Sequence, residues 1–138
     1  RVIAAYQQLG FKLVVDPSVN YSGYFDARSR SITMKQIDDS VYHELGHFLA
    51  FIAGNVDKTA SFQSIFAAEK ANVTAFNKAY VTQNASEYFA ESVKDYILNN
   101  ASLKNTRPQT YAAVQNALNQ ITDAQIAKIQ KIYGAFWN

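Results

Sequence analysis

Apolar residues recur along this chain with two different periods, and the change falls near residue 38. Before it, the apolar runs are short. Residues 1–9, "RVIAAYQQL", carry Val2, Ile3, Tyr6 and Leu9 on one side of a helix, and Gly10 stops it. "FKLVV" (11–15) is short and β-branched, and Asp16-Pro17 ends it, which predicts a strand. "GYFDARSRSITM" (23–34) reads as a hairpin around a polar turn at Ala27–Ser29. In its second arm Ile32 and Met34 alternate with Ser31 and Thr33, as in a half-buried or edge strand.

From Asp38 onward the period is helical. Asp38, Asp39 and Ser40 are N-cap candidates. Val41, Leu45, Phe48, Leu49 and Ile52 follow at three- and four-residue intervals, and Gly54-Asn55 is a stop. Further helices are expected at about 60–73, 85–98, 108–119 and 123–134. Pro108 suits a first-turn position, and Thr122-x-x-Gln125 is a capping box. The expected fold is α+β: a small N-terminal mixed β-sheet with a helix, over about residues 1–54, then a helical half over about 55–138.

The 138 residues are enough for one domain with its own core, so a single domain over 1–138 is expected. At 49% hydrophobic and 17% charged, the chain should fold rather than stay disordered. A net charge of +2 without a Lys/Arg block gives no argument for nucleic acid. The longest apolar stretch, "FLAFIAG", is too short to span a membrane. The absence of cysteine excludes disulfides, thiolate nucleophiles and Cys-type zinc sites. The chain begins at Arg1 rather than methionine, which reads as a mature or trimmed chain whose targeting signal lies outside it. Nothing calls for a dimer, so a monomer is expected.

The only two histidines, His43 and His47, lie four residues apart in "SVYHELGHFL". Residues i and i+4 share a helix face, so both rings can aim at one point about 2 Å away, as a zinc ion requires. Glu44 lies about 100° further round the helix, within reach of a water beside the metal rather than of the metal itself. Gly46 is expected to leave the space beside the metal clear. In a chain with two histidines and four glutamates, chance assembly of this H-E-x-x-H is rare, on the order of 1%. A zinc hydrolase needs a third protein ligand and an open position. No third histidine exists, and Ala50 and Ala53 exclude the extended three-histidine form. Carboxylates remain. Glu69, in "IFAAEKA", falls at roughly the thermolysin-type separation. Glu87 and Glu91, in "SEYFAES", share one helical face, so that one can bind metal and the other accept a ligand's ring N–H. Glu87 also suits a capping arrangement with Asn84, and Glu69 a surface charge beside Lys70. Spacing leaves Glu87 and Glu69 both open. Tyr80, on spacing alone, reads as aromatic packing beside Phe76.

"HELGH" followed about forty residues later by "SEYFAES", with Tyr80 seven residues before Glu87, resembles the catalytic domain of anthrax lethal factor. The run "NYSGYFDARSRSITM…SVYHELGHFLAFIAGN" looks closer still to the secreted bacterial Pro-Pro endopeptidases, small zinc proteases of the same superfamily. That resemblance implies a zincin-like fold and one Zn2+ held by His43, His47 and Glu87. It implies Glu44 as general base, Tyr80 as transition-state donor and Glu91 behind a ligand histidine. The implied reaction cuts between two consecutive prolines of an extended peptide, on bacterial surface adhesins, outside the cell. The segment 18–24, with Tyr21, is expected to loop over the cleft. The strand "SITM", with Thr33 and Met34, is expected to pair with substrate. Prolines cannot complete such a ladder, so Pro-Pro recognition calls for a kinked, aromatic-lined path.

Overall fold

A computed structural model describes residues 1–137. Helix α1 (Val2–Gln8) leads into strand β1 (Lys12–Val15). Strands β2 (Gly23–Asp26) and β3 (Ser31–Met34) form the hairpin, and α2 (Ser40–Ile52) carries both histidines. A 3-10 turn (Val56–Lys58), α3 (Ala60–Glu69) and a second 3-10 turn (Lys70–Asn72) follow. Then come α4 (Lys78–Val81), α5 (Ala85–Leu98), α6 (Asn100–Thr106), α7 (Pro108–Asn119) and α8 (Asp123–Trp137). The architecture is α+β and mostly helical, with a three-stranded mixed sheet.

The strand order is β1-β3-β2, with β1 parallel and β2 antiparallel to β3. Strand β3 alternates as its sequence does: Ile32 and Met34 are buried, Ser31 and Thr33 half-buried. It is nevertheless the central strand, because β1 returns parallel to it. The edge able to accept a further strand beside α2 therefore belongs to β2, not to "SITM".

Two local stops act as their residues dictate. At the end of α2, Gly54 (φ 78°) and Asn55 (φ 58°) take left-handed conformations, and the Asn55 N–H returns to Ala50 O at 2.8 Å. After α1, Gly10 (φ 81°) lets the Phe11 N–H reach Tyr6 O. Other expectations shift. Ile3 turns outward and Ala5 takes its place in the core. The helix expected over 60–73 breaks into a 3-10 turn after Glu69, and the last helix runs on to Trp137. The short helices α4 and α6 leave no mark in the periodicity.

The core gathers around α2. Phe48, Leu49 and Ile52 are fully buried, together with Phe62, Tyr88, Phe89 and Ile121 from the helical half. Burying each such large side chain is worth about 1.5–3 kcal/mol. Phe48 also meets Tyr6 and Phe11 edge-on, at 5.0 and 4.9 Å between centroids, which ties the sheet side to α2. Trp137 on α8 donates to Ala27 O at 2.9 Å, and Arg30 lies over its ring, so the last helix clamps the hairpin turn.

Candidate metal centre

The site forms where α2 meets α5. A Cβ added to Gly46 would lie 2.6 Å from Ala90 O and 2.7 Å from Ala90 Cα. Gly46 therefore does not clear space beside a metal, as the sequence suggested. It lets the backbone of α5 lie directly on α2. At that separation Glu87 and Glu91, one turn apart on α5, face His43 and His47, one turn apart on α2. The first turn of α5 is fixed by Asn84, whose Oδ1 accepts the Glu87 N–H at 2.8 Å. Glu87 thus serves the cap with its backbone and the site with its carboxylate.

His43 Nε2 and His47 Nε2 lie 2.8 and 3.1 Å from the same oxygen, Glu87 Oε1. The ligand atoms of the three residues all lie within 4.8 Å of one another. His43 has a carboxylate oxygen at each ring nitrogen, Glu87 at Nε2 and Glu91 at Nδ1, so positive charge is needed there. A proton supplies it in the bare chain, and a divalent cation supplies it with all three as donors. Two imidazoles and one carboxylate match the donor set of a zinc site that keeps a position open. Behind the centre, His43 Nδ1 lies 2.8 Å from Glu91 Oε1, which orients the ring and leaves Nε2 facing inward.

The electrostatics follow from this geometry. Burial alone would lower the His43 pKa, but its hydrogen bonds to Glu87 and Glu91 outweigh burial and raise it to about 9. The hydrogen bonds from His43 and His47 hold Glu87 far below the usual carboxylate range. For Glu91 burial pushes upward most strongly, yet the His43 hydrogen bond with the charges of His43, Lys94 and Arg107 leaves its pKa lowered.

Glu44 is buried, and burial raises its pKa, with the Glu87 charge adding and both histidines opposing. Its carboxylate lies against β2. A Cβ on Gly23 would come 2.9 Å from Glu44 Cγ and 3.1 Å from Glu44 Oε2. Gly23 is a site residue that the sequence reading missed; a glycine inside a strand is the signal for such a close approach. Phe25, two residues on, stacks against His47 with centroids 6.5 Å apart and planes 15° apart. Tyr80, on α4, has its ring 6.3 Å from that of His43 and is 53% exposed. Burial, then the charges of Glu87 and Glu44, raise its pKa, so it stays a hydroxyl donor. Phe76 points fully into solvent, so Tyr80 is not there to pack on it. A cavity of about 340 Å3 joins His43, Glu44, Tyr80 and Glu91 with Tyr21, Ser22 and Gly23 of the β2 approach, and with Asn77 and Lys94.

Three residues considered from sequence lie elsewhere. Met34 has no exposed surface, and Thr33 sits on the central strand between Val14 and Tyr24, so neither offers an edge to a substrate. Glu69 is buried at the N-terminus of α7. Its carboxylate accepts the backbone N–H groups of Gln109 and Thr110 and the Thr110 hydroxyl, at 3.1, 2.8 and 2.7 Å. It is neither a metal ligand nor a surface charge.

Fold and site together define an α+β domain in which a histidine-bearing helix and a carboxylate-bearing helix enclose a potential metal centre of two histidines and one glutamate. A sequence profile of the family described as anthrax toxin lethal factor, N- and C-terminal domain, matches residues 21–117, from the approach to β2 through most of α7. That is well over half of the chain and contains every residue of the centre, and the chain belongs to this family. A comparison with curated proteins returns no match.

Proposed function

We propose that this chain is a zinc-dependent endopeptidase acting on extended peptide segments, with the bond between two consecutive prolines as its preferred target. The observation that carries the reading is that His43, His47 and Glu87 converge on one point, and that His43 shares a cavity there with a buried second carboxylate, Glu44, and a phenol, Tyr80. Zinc held by the three ligands would polarise the scissile carbonyl and lower the pKa of a water molecule to about 7.

The chain's own residues do the rest. Glu44, its pKa raised by burial, takes a proton from the attacking water and passes it to the leaving nitrogen. A proline leaving group is a tertiary amide nitrogen and departs only once protonated. Tyr80 keeps its proton and donates a hydrogen bond from its hydroxyl to the carbonyl oxygen as negative charge builds there. Glu91 keeps His43 in the orientation that presents Nε2. Strand β2 supplies an edge for substrate. The Lys35 N–H bonds Ser22 O, and antiparallel alternation then turns the N–H and C=O groups of Gly23 and Phe25 outward, with the Phe25 N–H toward Glu44.

The Pro-Pro preference rests on the likeness of residues 20–55 to the secreted Pro-Pro endopeptidases. The same likeness supports secretion and a bacterial surface adhesin as substrate. No described helix is long and apolar enough to cross a membrane. Every residue of the proposed machinery comes from one chain, so the reading needs only a monomer.

The test is mass-spectrometric analysis of a peptide library built as X-X-Pro-Pro-X-X, with and without a chelator. A chelator-sensitive cut between the prolines is expected. A zinc-loaded protein that cuts none of the peptides would overturn the reading.

A further inference from the structure

The cavity at the metal centre does not end there. Asn77, Glu91 and Lys94 also line a second cavity of about 540 Å3. This one continues away from β2 toward α6, where Asn99, Ser102 and Arg107 face it. With those three residues on both walls, the space beside the centre borders the space across α5.

Phe76 stands on the wall of the second cavity and is fully exposed. A phenylalanine with no cover is costly to leave in water. It is not on a loose tail: Val73 and Val81, on either side of it in sequence, are both buried, and Ala75 packs against the core. The chain is tied down before and after the residue that it presents. The remaining wall carries hydrogen-bond donors, among them the side-chain amides of Asn77 and Asn99 and the ammonium of Lys94, beside the carboxylates of Glu91 and Asp95, which His43 and Arg107 already answer. A proline-containing segment offers carbonyl acceptors, few N–H donors, and flat ring faces that favour aromatic surfaces. Amide and ammonium donors beside one aromatic lip suit that chemistry.

We propose that the peptide substrate turns at the metal centre into the cavity between α5 and α6, and that Phe76 is the specificity-determining residue that grips it there. This rests on the peptidase reading of the centre. It places the bend that a Pro-Pro segment accepts between the β2 edge and the α6 side.

Binding rather than turnover gives the test, so that the two readings fail separately. Zinc-loaded Glu44→Gln protein, with and without Phe76→Ala, is titrated by fluorescence anisotropy with three labelled peptides. One is a six-residue Pro-Pro core, one is extended by four residues at its N-terminus, and one is extended equally at its C-terminus. Phe76→Ala should weaken one extended peptide about tenfold, leave the core peptide within about twofold, and leave zinc content unchanged. Phe76→Tyr should restore the lost affinity. Equal binding of both extended peptides by the two proteins, equal loss on all three, or no binding of any peptide would overturn the inference. Cleavage of the library by the wild type with no dependence on Phe76 would remove this inference and keep the peptidase. Phe76-dependent binding in a wild type that cuts nothing would do the reverse.

Discussion

Glu69 and Glu87 both lie on helices downstream of the two histidines, and both are drawn out of bulk water, yet they meet opposite partners. In the α3–α7 region, Glu69 receives three hydrogen bonds from donors that the chain itself fixes, two backbone N–H groups and one hydroxyl. Its charge is answered and nothing is left for a ligand. In the α2–α5 region, Glu87 Oε1 is approached by two imidazole nitrogens whose role depends on the tautomer, and the other ring nitrogen of His43 already meets Glu91. That arrangement is complete only with a cation or a proton in it. The difference separates a structural carboxylate from a site carboxylate without reference to exposure.

The largest expected effect concerns the third carboxylate, Glu44, which belongs to neither class. Glu44→Gln should lower kcat/KM by about 10³-fold while zinc content and melting temperature stay near wild type. Kinetics beside elemental analysis would show it, and retained turnover would remove Glu44 from proton transfer.

Next comes a crossover that tests the comparison directly. Glu87→Ala should weaken zinc binding by more than about a hundredfold. Glu69→Ala should keep zinc and lose about 2–3 kcal/mol of stability, because it strands buried donors at the start of α7. Zinc titrations and urea unfolding on both variants would decide, and the opposite pattern would restore Glu69 as the ligand.

Gly46→Ala should push α5 off α2, at a cost of about 1–3 kcal/mol, and loosen zinc binding with it. Loss of stability with unchanged zinc affinity would uncouple the helix contact from the centre.

The smallest effect is one of pH. His43 in the zinc-free chain has its pKa raised to about 9, so the stabilisation it gives is complete below its ordinary 6.5 and fades as pH rises through 9. The melting temperature of the zinc-free protein should therefore fall between about pH 7 and 9.5, and the fall should shrink in Glu91→Gln. Zinc must displace that proton, so its apparent affinity should rise over the same range. A melting temperature flat across it would mean that Glu87 and Glu91 do not hold His43 charged.

The readable part of the site is the part carried by one regular element. The spacing of His43, Glu44 and His47 needs only a helix, and the apolar period supplies one. Capping is readable for the same reason: Thr122 Oγ1 accepts the Gln125 N–H, although the Gln125 side chain goes to Ile52 O instead of back to Thr122. What periodicity cannot give is what lies across an interface. Strand "SITM" is recognisable, but its central place depends on β1 pairing from a distance, which is why Thr33 and Met34 look like an edge in sequence and have none to offer. Gly46 falls on the correct helix, but its neighbour there is Ala90 and not the metal. Tyr80 sits on a four-residue helix, too short to leave a period, so spacing favours its packing on Phe76. Spacing gives Glu87 only a slight edge over Glu69, and tertiary contact is what tells them apart.

The contact of Gly46 with Ala90 also sets a timetable. Both histidines come from α2 and both carboxylates from α5, with residues 53–84 intervening. A nascent chain that has cleared α2 from the ribosome holds half of the centre, on a helix with nothing opposite it. The three donors first meet when two bare stretches of backbone close on each other. Synthesis of α5 is therefore the earliest moment at which the three can act together, and a nick anywhere in the intervening segment would act on the same dependence.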